Sequence, residues 1–264
     1  MDIAGRHVVV TGGAGGIGSA LARRMREEGA RAVVVADREI EPARAVALEV
    51  GGLAVELDAR SEESVKTLIA GATDHGGEID IFISNAGIPG AGGGPEETPE
   101  ESWEEAWRVN VMAHVWAARA LLPQMRARSE GYLINTASAA GLLTQVSSAI
   151  YSVTKHAAVA LAEWLAIEYG DEGVRVSCIC PQGVRTPMLE AALEDPAGAA
   201  ALLAGGVIEP EDVAEALVAG IREERFLILP HAEVATHMQR KASDPDRWIA
   251  GMRRLVRNAR AQTA

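Results

Sequence analysis

Val8-Val9-Val10-Thr11-Gly12-Gly13-Ala14-Gly15-Gly16-Ile17-Gly18 runs an apolar segment straight into a glycine-rich loop. The segment, opened by Arg6-His7, has the length and content of a buried strand. A helix is predicted from about Gly16 to Glu28, with Gly29 as its left-handed cap. Glycines between a strand and a helix let the backbone come close to a pyrophosphate, and the helix N-terminus turns its amides toward that anion. The loop residues in reach are Gly12, Gly15, Gly16, Ile17 and Gly18. Alone, the loop could be a glycine-rich tight turn; its place after the first strand favours anion binding.

The alternation continues outward. Apolar runs at Ala32–Ala36, Leu53–Leu57, Ile79–Ser84, Gly131–Ala137, Val174–Cys180 and Phe226–Leu229 read as further strands. Helices are predicted over Glu39–Glu49, from a Ser61 cap to about His75, from Thr98 towards Leu122-Pro123, and over about Ile150–Tyr169. Thr98-Pro99-Glu100-Glu101 reads as a helix start, with Thr98 as cap, Pro99 at the first helical position and Glu101 completing a capping box. Near-continuous apolar strands separated by helices imply a parallel sheet covered on both faces. The expected fold is doubly wound α/β, with about seven strands in a three-layer α/β/α arrangement. No linker divides residues 1–264, which are expected to form one domain, with ligand at the carboxyl ends of the strands.

Composition narrows the function classes. The 264 residues are 48% hydrophobic and 23% charged, as expected of a water-soluble globular protein, and the net charge of −12 disfavours nucleic acid as a partner. The two cysteines, Cys178 and Cys180, stand two apart on a predicted strand and so face the same side. They read as small buried hydrophobes in a reduced compartment, and no metal site is expected. The N-terminus lacks the charged-then-apolar pattern of a signal peptide, and no apolar run reaches membrane-spanning length. The expected location is the cytoplasm.

Asp37 ends the second strand, 25 residues past Gly12, where an acid can hold the adenosine ribose hydroxyls of a dinucleotide. A carboxylate there repels a 2′-phosphate by roughly 4 kcal/mol per charge pair at about 4 Å and intermediate dielectric. Arg38 could swing over to offset this, but the glycine loop adds no basic residue, so NAD is expected in preference to NADP. Asp58-Ala59 closes strand three, where a carboxylate could accept from the adenine amino group; it could equally be a helix-entry residue ahead of Ser61. Asn85-Ala86-Gly87 closes strand four with residues small enough for a cofactor to lie against the backbone, or forms an ordinary strand-to-loop turn.

Tyr151 and Lys155 stand four residues apart on a predicted helix, which places both on one face. An ammonium beside a phenol stabilises the phenolate and makes it a usable proton donor and acceptor near neutral pH.

Together these residues resemble the short-chain dehydrogenase/reductase family, from about Val8 to Met188. Thr11-Gly12-x-x-x-Gly16-x-Gly18 fits that family's glycine motif. Ser84-Asn85-Ala86-Gly87 fits its Asn-Asn-Ala-Gly motif, with Ser84 in place of the first Asn. Ser138 lies 13 residues before Tyr151, and Tyr151-x-x-x-Lys155 is the family's active-site motif. The resemblance implies a Rossmann-like fold and an NAD(P)-dependent conversion between a secondary alcohol and a ketone. It implies Tyr151 as general acid and base, and Lys155 as the group that lowers the Tyr151 pKa and bonds the nicotinamide ribose. Ser138 would donate to the substrate oxygen, and Asn110 would hold a water linking Lys155 to solvent. Pro181, Gly183, Val184 and Thr186 would line the nicotinamide side, although Gln182 intrudes where the family has Pro-Gly.

The substrate side is expected to include Ser138, Leu142, Gln145, Tyr151, Gln182 and Met188, covered by the segment from about 188 to 207. Leu143, Leu189, Leu193, Leu202 and Leu203 make that region apolar, and Arg185 is its main basic group. A moderately hydrophobic alcohol or ketone is the expected substrate. After Pro230 the chain departs from the family into a polar, helical extension over about 231–264. Asp244-Pro245 reads as a cap and first position, with Trp248, Met252, Leu255 and Val256 as one apolar stripe. This extension disfavours the family's tetramer contact; the expected assembly is a homodimer through the helices bearing Trp103–Leu122 and Ile150–Tyr169. Two rival readings are a nucleotide-binding regulatory protein without chemistry and a methyltransferase, whose glycine loop and strand-two acid look similar. The Tyr–Lys pair has no purpose in either.

Overall fold

The computed structural model describes residues 1–193, 195–203 and 205–261. Its strands are β1 (His7–Thr11), β2 (Ala32–Asp37), β3 (Leu53–Glu56), β4 (Ile81–Ser84), β5 (Gly131–Thr136), β6 (Val174–Ile179) and β7 (Leu227–Ile228). They form one sheet in the order β3-β2-β1-β4-β5-β6-β7, and every pairing is parallel. The chain steps outward from β1 to β3, then returns to lay β4 against the free edge of β1. This reversal opens a crevice at the carboxyl ends of β1 and β4, where an open α/β sheet binds its ligand.

The helices are α1 (Gly16–Glu27), α2 (Ile40–Glu49), α3 (Glu62–Gly76), α4 (Glu100–Trp107), α5 (Ala113–Ala127) and α6 (Ala140–Leu143), followed by α7 (Ala149–Tyr169), α8 (Pro187–Ala192), α9 (Pro196–Leu203), α10 (Pro210–Arg222), α11 (Glu233–Ser243) and α12 (Pro245–Ala261). Strand side chains alternate between faces. Val8 and Val10 enter a core with Leu21, Met25, Val46 and Leu217, from α1, α2 and α10. Val9 enters the opposite core with Leu68, Leu121 and Ala158, from α3, α5 and α7. Burying a valine side chain in this way contributes about 1.5–3 kcal/mol, which explains why β1 needs no polar face.

At the amino end of the sheet, Asp80 fastens three strands. Its Oδ2 accepts from the His7 amide at 2.7 Å, and its carbonyl accepts from the Tyr132 amide at 2.8 Å. Arg31, Arg6 and Arg128 approach its carboxylate at 3.5, 3.8 and 3.8 Å.

Several local expectations are corrected. Thr98 does not cap α4. Its hydroxyl donates to the Gly94 carbonyl at 3.0 Å and accepts from the Trp103 indole at 2.8 Å, so the capping box does not form and Pro99 stands at the cap. The helix predicted through Asn110 is interrupted by a π-turn over Arg108–Met112, and α5 then continues past Pro123 to Ala127. The strand ends at Leu53–Leu57 and Phe226–Leu229 are shorter than expected. Gly29 does take the left-handed conformation, at φ 85°. Ser61 caps α3 through the Ser64 amide at 3.2 Å. Cys178 and Cys180 are free and buried, with their sulfurs 3.7 Å apart. The extension after Pro230 is helical, and Asp244 caps α12 by accepting from the Arg247 amide at 2.9 Å. Among the described residues no helix is long and apolar enough to cross a membrane.

Candidate active site

A cavity of about 460 Å³ occupies the crevice at the carboxyl ends of the strands. Gly12, Gly15, Gly16, Ile17 and Gly18 form one wall. Gly18 packs so closely on this loop that a Cβ there would lie 1.9 Å from the Gly12 carbonyl oxygen. Only glycine lets α1 start at this point. No side chain caps α1 and its first turn carries no acid, so its amides face the cavity uncompensated.

Asp37, Arg38, Asp58 and Ala59 line the end beside β2 and β3. The Asp37 carboxylate accepts from the Ala14 amide at 3.0 Å and the Glu39 amide at 3.1 Å, which fixes it at the cavity rim. Arg38 is exposed and lies 3.6 Å from Glu39. Arg60 also lines the cavity and is missing from the sequence-level candidates. Its guanidinium grips Asp58 with two bonds at 2.9 and 3.0 Å and reaches Glu105 at 3.1 Å. The Arg60 bond holds the Asp58 carboxyl below the usual carboxylate range. The signal was Asp58-x-Arg60, an acid and a base two residues apart, read only for its acid.

Asn85, Ala86 and Gly87 form the middle of the floor. A Cβ on Gly87 would stand 3.3 Å from Lys155 Nζ and 3.4 Å from Asn110 Oδ1, so this glycine lets both polar groups approach the strand end. Asn110 lies behind the floor, fully buried in the π-turn. Its Oδ1 accepts from the Ile88 amide at 2.9 Å, while its Nδ2 donates to the Ile88 carbonyl at 2.9 Å and to Thr154 Oγ1 at 3.1 Å. These bonds tie the β4 exit to α7.

Ser138, Tyr151 and Lys155 converge at the other end of the cavity. Ser148 caps α7 by accepting from the Tyr151 amide at 3.2 Å, which sets the start of the helix that carries the pair. Lys155 Nζ donates to the Thr136 carbonyl at 2.9 Å and lies 5.7 Å from the centre of the Tyr151 ring. Burial pushes Lys155 down to about 8. Burial also raises the Tyr151 phenol, and the neighbouring Ser138 hydroxyl, which donates to the Pro181 carbonyl at 3.3 Å, pulls it back. Behind Lys155, His114 is buried and pushed down to about 3 by burial and then by the Lys155 charge. Among the described residues neither of its ring nitrogens makes a well-formed hydrogen bond, and the Asn110 carbonyl exerts the smallest of the three influences on it.

Pro181, Gln182, Val184, Thr186, Met188 and Gln145 also line the cavity, with Leu189 and Leu202 from α8 and α9. Gly183 and Leu142 do not. The Gly183 carbonyl accepts from the Ile208 amide at 3.0 Å, and a Cβ on this residue would meet the Leu202 carbonyl oxygen at 3.1 Å, so it faces the covering segment. Leu142 sits on α6, a turn of helix not anticipated, and packs against the core below α7.

The site accommodates a dinucleotide. The uncapped amides of α1 suit a pyrophosphate, the fixed Asp37 carboxylate suits ribose hydroxyls, and the small floor at Asn85–Gly87 leaves room beside Lys155.

The short chain dehydrogenase family profile matches residues 6–197. The 1-deoxy-11-beta-hydroxypentalenate dehydrogenase of Streptomyces exfoliatus is 34% identical over 95% of this chain and 92% of its own. The L-fucose dehydrogenase of Bos taurus is 34% identical over 84% of this chain and 85% of its own. A short chain dehydrogenase/reductase from Burkholderia phymatum, solved in complex with NAD, superposes with a TM-score of 0.83 at 27% identity, covering 93% of this chain and 96% of that one. The chain belongs to the short-chain dehydrogenase/reductase family. It has that family's Rossmann-like three-layer fold and is an oxidoreductase of the NAD(P)-dependent class.

Proposed function

We propose that this protein interconverts a secondary alcohol and its ketone, with NAD as the preferred coenzyme. The observation that carries the reading is the convergence of Ser138, Tyr151 and Lys155 at the end of the cavity opposite Asp37. The coenzyme would be held by the α1 amides, Asp37, Asn85–Gly87, Lys155, Val184 and Thr186, and its nicotinamide supplies or accepts hydride when bound. Ser138 donates to the substrate oxygen and stabilises charge developing there. The Tyr151 hydroxyl gives its proton to that oxygen in reduction and takes it back in oxidation. The Lys155 ammonium favours the phenolate that results. Asn110 fixes the floor against α7 so that these groups keep their spacing.

NAD preference is supported by the fixed carboxylate of Asp37 and by Arg38 lying beside Glu39. An apolar substrate is supported by Met188, Leu189 and Leu202 on the covering segment. We place all of residues 1–264 in one catalytic domain and the protein in the cytoplasm. We also favour a homodimer. Val153, Trp164 and Ile167, 47%, 53% and 76% exposed, share one face of α7. The test is a panel of secondary alcohols and ketones with both coenzymes, followed by nicotinamide absorbance, on wild type and Tyr151→Phe. Turnover that falls by about 10²–10⁴-fold in Tyr151→Phe is the expected result. NADH binding with no turnover on any substrate would point instead to a regulatory protein.

A further inference from the structure

Among the described residues, the covering segment is fastened to the loop before α7 at Ser147. Ser147 donates its hydroxyl to the Asp195 carboxylate, across 48 residues of sequence. The same carboxylate oxygen accepts from the Gly198 amide at 2.5 Å, and the Asp195 carbonyl accepts from the Ala199 amide at 2.8 Å, so Asp195 also starts α9. Gly198 lies close enough that a Cβ would stand 3.5 Å from Ser147 Oγ. Helix α12, in the extension after Pro230, packs on the outside of α9. From it the Arg260 charge acts on Asp195, adding to the stabilisation of the carboxylate by Ser147 and the Gly198 amide.

The other partner of this contact is held under strain. Ser147 has φ 74° and Thr144 φ 71°, left-handed conformations that neither residue type favours. The Ser147 carbonyl accepts from the Gly93 amide at 2.8 Å. Gln145, between the two strained residues, exchanges hydrogen bonds with Ser152 at 3.0 and 2.9 Å and lines the cavity. Ser148, next in the chain, caps α7 through the Tyr151 amide. A displacement of Ser147 would therefore be felt at both Gln145 and Tyr151.

We propose that Asp195 is a positioning residue that latches the substrate-covering helices α8 and α9 to the loop before α7, with α12 packed against α9. The latch sets the distance between the apolar wall of Met188, Leu189 and Leu202 and the polar wall of Gln145 and Tyr151. It thereby makes the fit of the substrate depend on the C-terminal helix. The proposal rests on the alcohol–ketone reading of the site.

The experiment compares full-length wild type with Asp195→Ala, Asp195→Asn, Ser147→Ala, Arg260→Ala and the Asp195→Ala/Ser147→Ala double variant. A charge-assisted hydrogen bond of this kind corresponds to about a tenfold rise in substrate KM for Asp195→Ala and for Ser147→Ala. The expected kcat stays within about threefold, and the NADH dissociation constant, read by fluorescence, is unchanged. The double variant is no worse than either single one, Asp195→Asn restores most of the loss, and Arg260→Ala shows a smaller KM rise. An unchanged KM, additive losses in the double variant, or equal losses in kcat and NADH affinity would overturn the latch. Hydrogen exchange separates this from a failure of the functional reading, because it needs no turnover. Asp195→Ala should speed exchange in residues 187–203 and 144–148 but not in β1 and β4–β6. Exchange identical to wild type would also overturn it.

Discussion

On the proposed NAD preference, replacing Asp37 with Asn should leave an enzyme that barely distinguishes the coenzymes. Two unit charges about 4 Å apart interact by about 4 kcal/mol at an effective dielectric of 20 and by about 1 kcal/mol in bulk water. Asp37 is half-buried and its neighbour Arg38 is 64% exposed in its side chain, so the aqueous end of that range applies. A 2′-phosphate carries about −1.5 to −2 charges, giving roughly 1.5–2 kcal/mol of discrimination, or about 10- to 30-fold in kcat/KM. Asn removes the charge but offers one acceptor oxygen to the Ala14 and Glu39 amides, which the carboxylate satisfies with two. NADH efficiency should therefore also fall, by about fivefold for the lost bond. The assay is initial-rate kinetics with NADH and NADPH at saturating ketone and low salt, since screening shrinks the effect. Arg38→Ala serves as the control and should leave the ratio within about twofold, because Glu39 already offsets that charge. Equal use of both coenzymes by the wild type, or an unchanged ratio in Asp37→Asn, would refute the reasoning.

Lys155→Met should abolish turnover yet stabilise the ligand-free protein. With its pKa depressed from 10.5 to about 8, the folded state binds fewer protons than the unfolded state between those values, so wild-type stability rises with pH through that window. At pH 7 the charge costs about 3 kcal/mol, and after losing about 1 kcal/mol for the Thr136 bond the variant should gain about 2 kcal/mol, or about 4–8 °C in Tm. His114 follows the same sign lower down. Its value of about 3 against 6.5 means that stability is lost as pH falls below 6.5, by about 2 kcal/mol at pH 5, and His114→Leu should flatten that slope in denaturant melts. Asp80→Ala should destabilise by about 3 kcal/mol, read by thermal denaturation, because three arginines and the His7 amide lose their shared partner. For the proposed homodimer, Trp164→Glu should give a monomer in light scattering with the fold intact by circular dichroism; an unchanged mass would remove α7 from the interface.

The sheet and its switch point were legible because all-buried parallel strands write themselves as unbroken apolar runs, Val8-Val9-Val10 above all. The glycine loop was legible because close approach leaves only one residue type possible. The π-turn was not: Arg108-Val109-Asn110-Val111-Met112 has the composition of an ordinary helix, and the extra residue per turn follows from where Asn110 must reach Ile88 and Thr154. Thr98 was misread because a cap and a partner for the Trp103 indole call for the same hydroxyl. Leu142 and Gly183 lie off the cavity wall because α6 and the contacts of Gly183 with Leu202 and Ile208 direct them elsewhere, and neither leaves a local pattern. Ser147 and Asp195 were invisible for a simpler reason: tertiary contact alone brings them together.

The Asp80 cluster lies at the amino end of the strands, while the residues assigned to chemistry lie at the carboxyl end. Mechanical integrity and specificity thus occupy opposite ends of the same strands. A library randomised at Gln145, Gln182, Met188 and Leu202 would sample new substrate shapes without touching the fastening that keeps β1, β4 and β5 in register. Laboratory evolution of this enzyme can therefore be confined to one end, with thermal stability serving as an internal check that the other end was left alone.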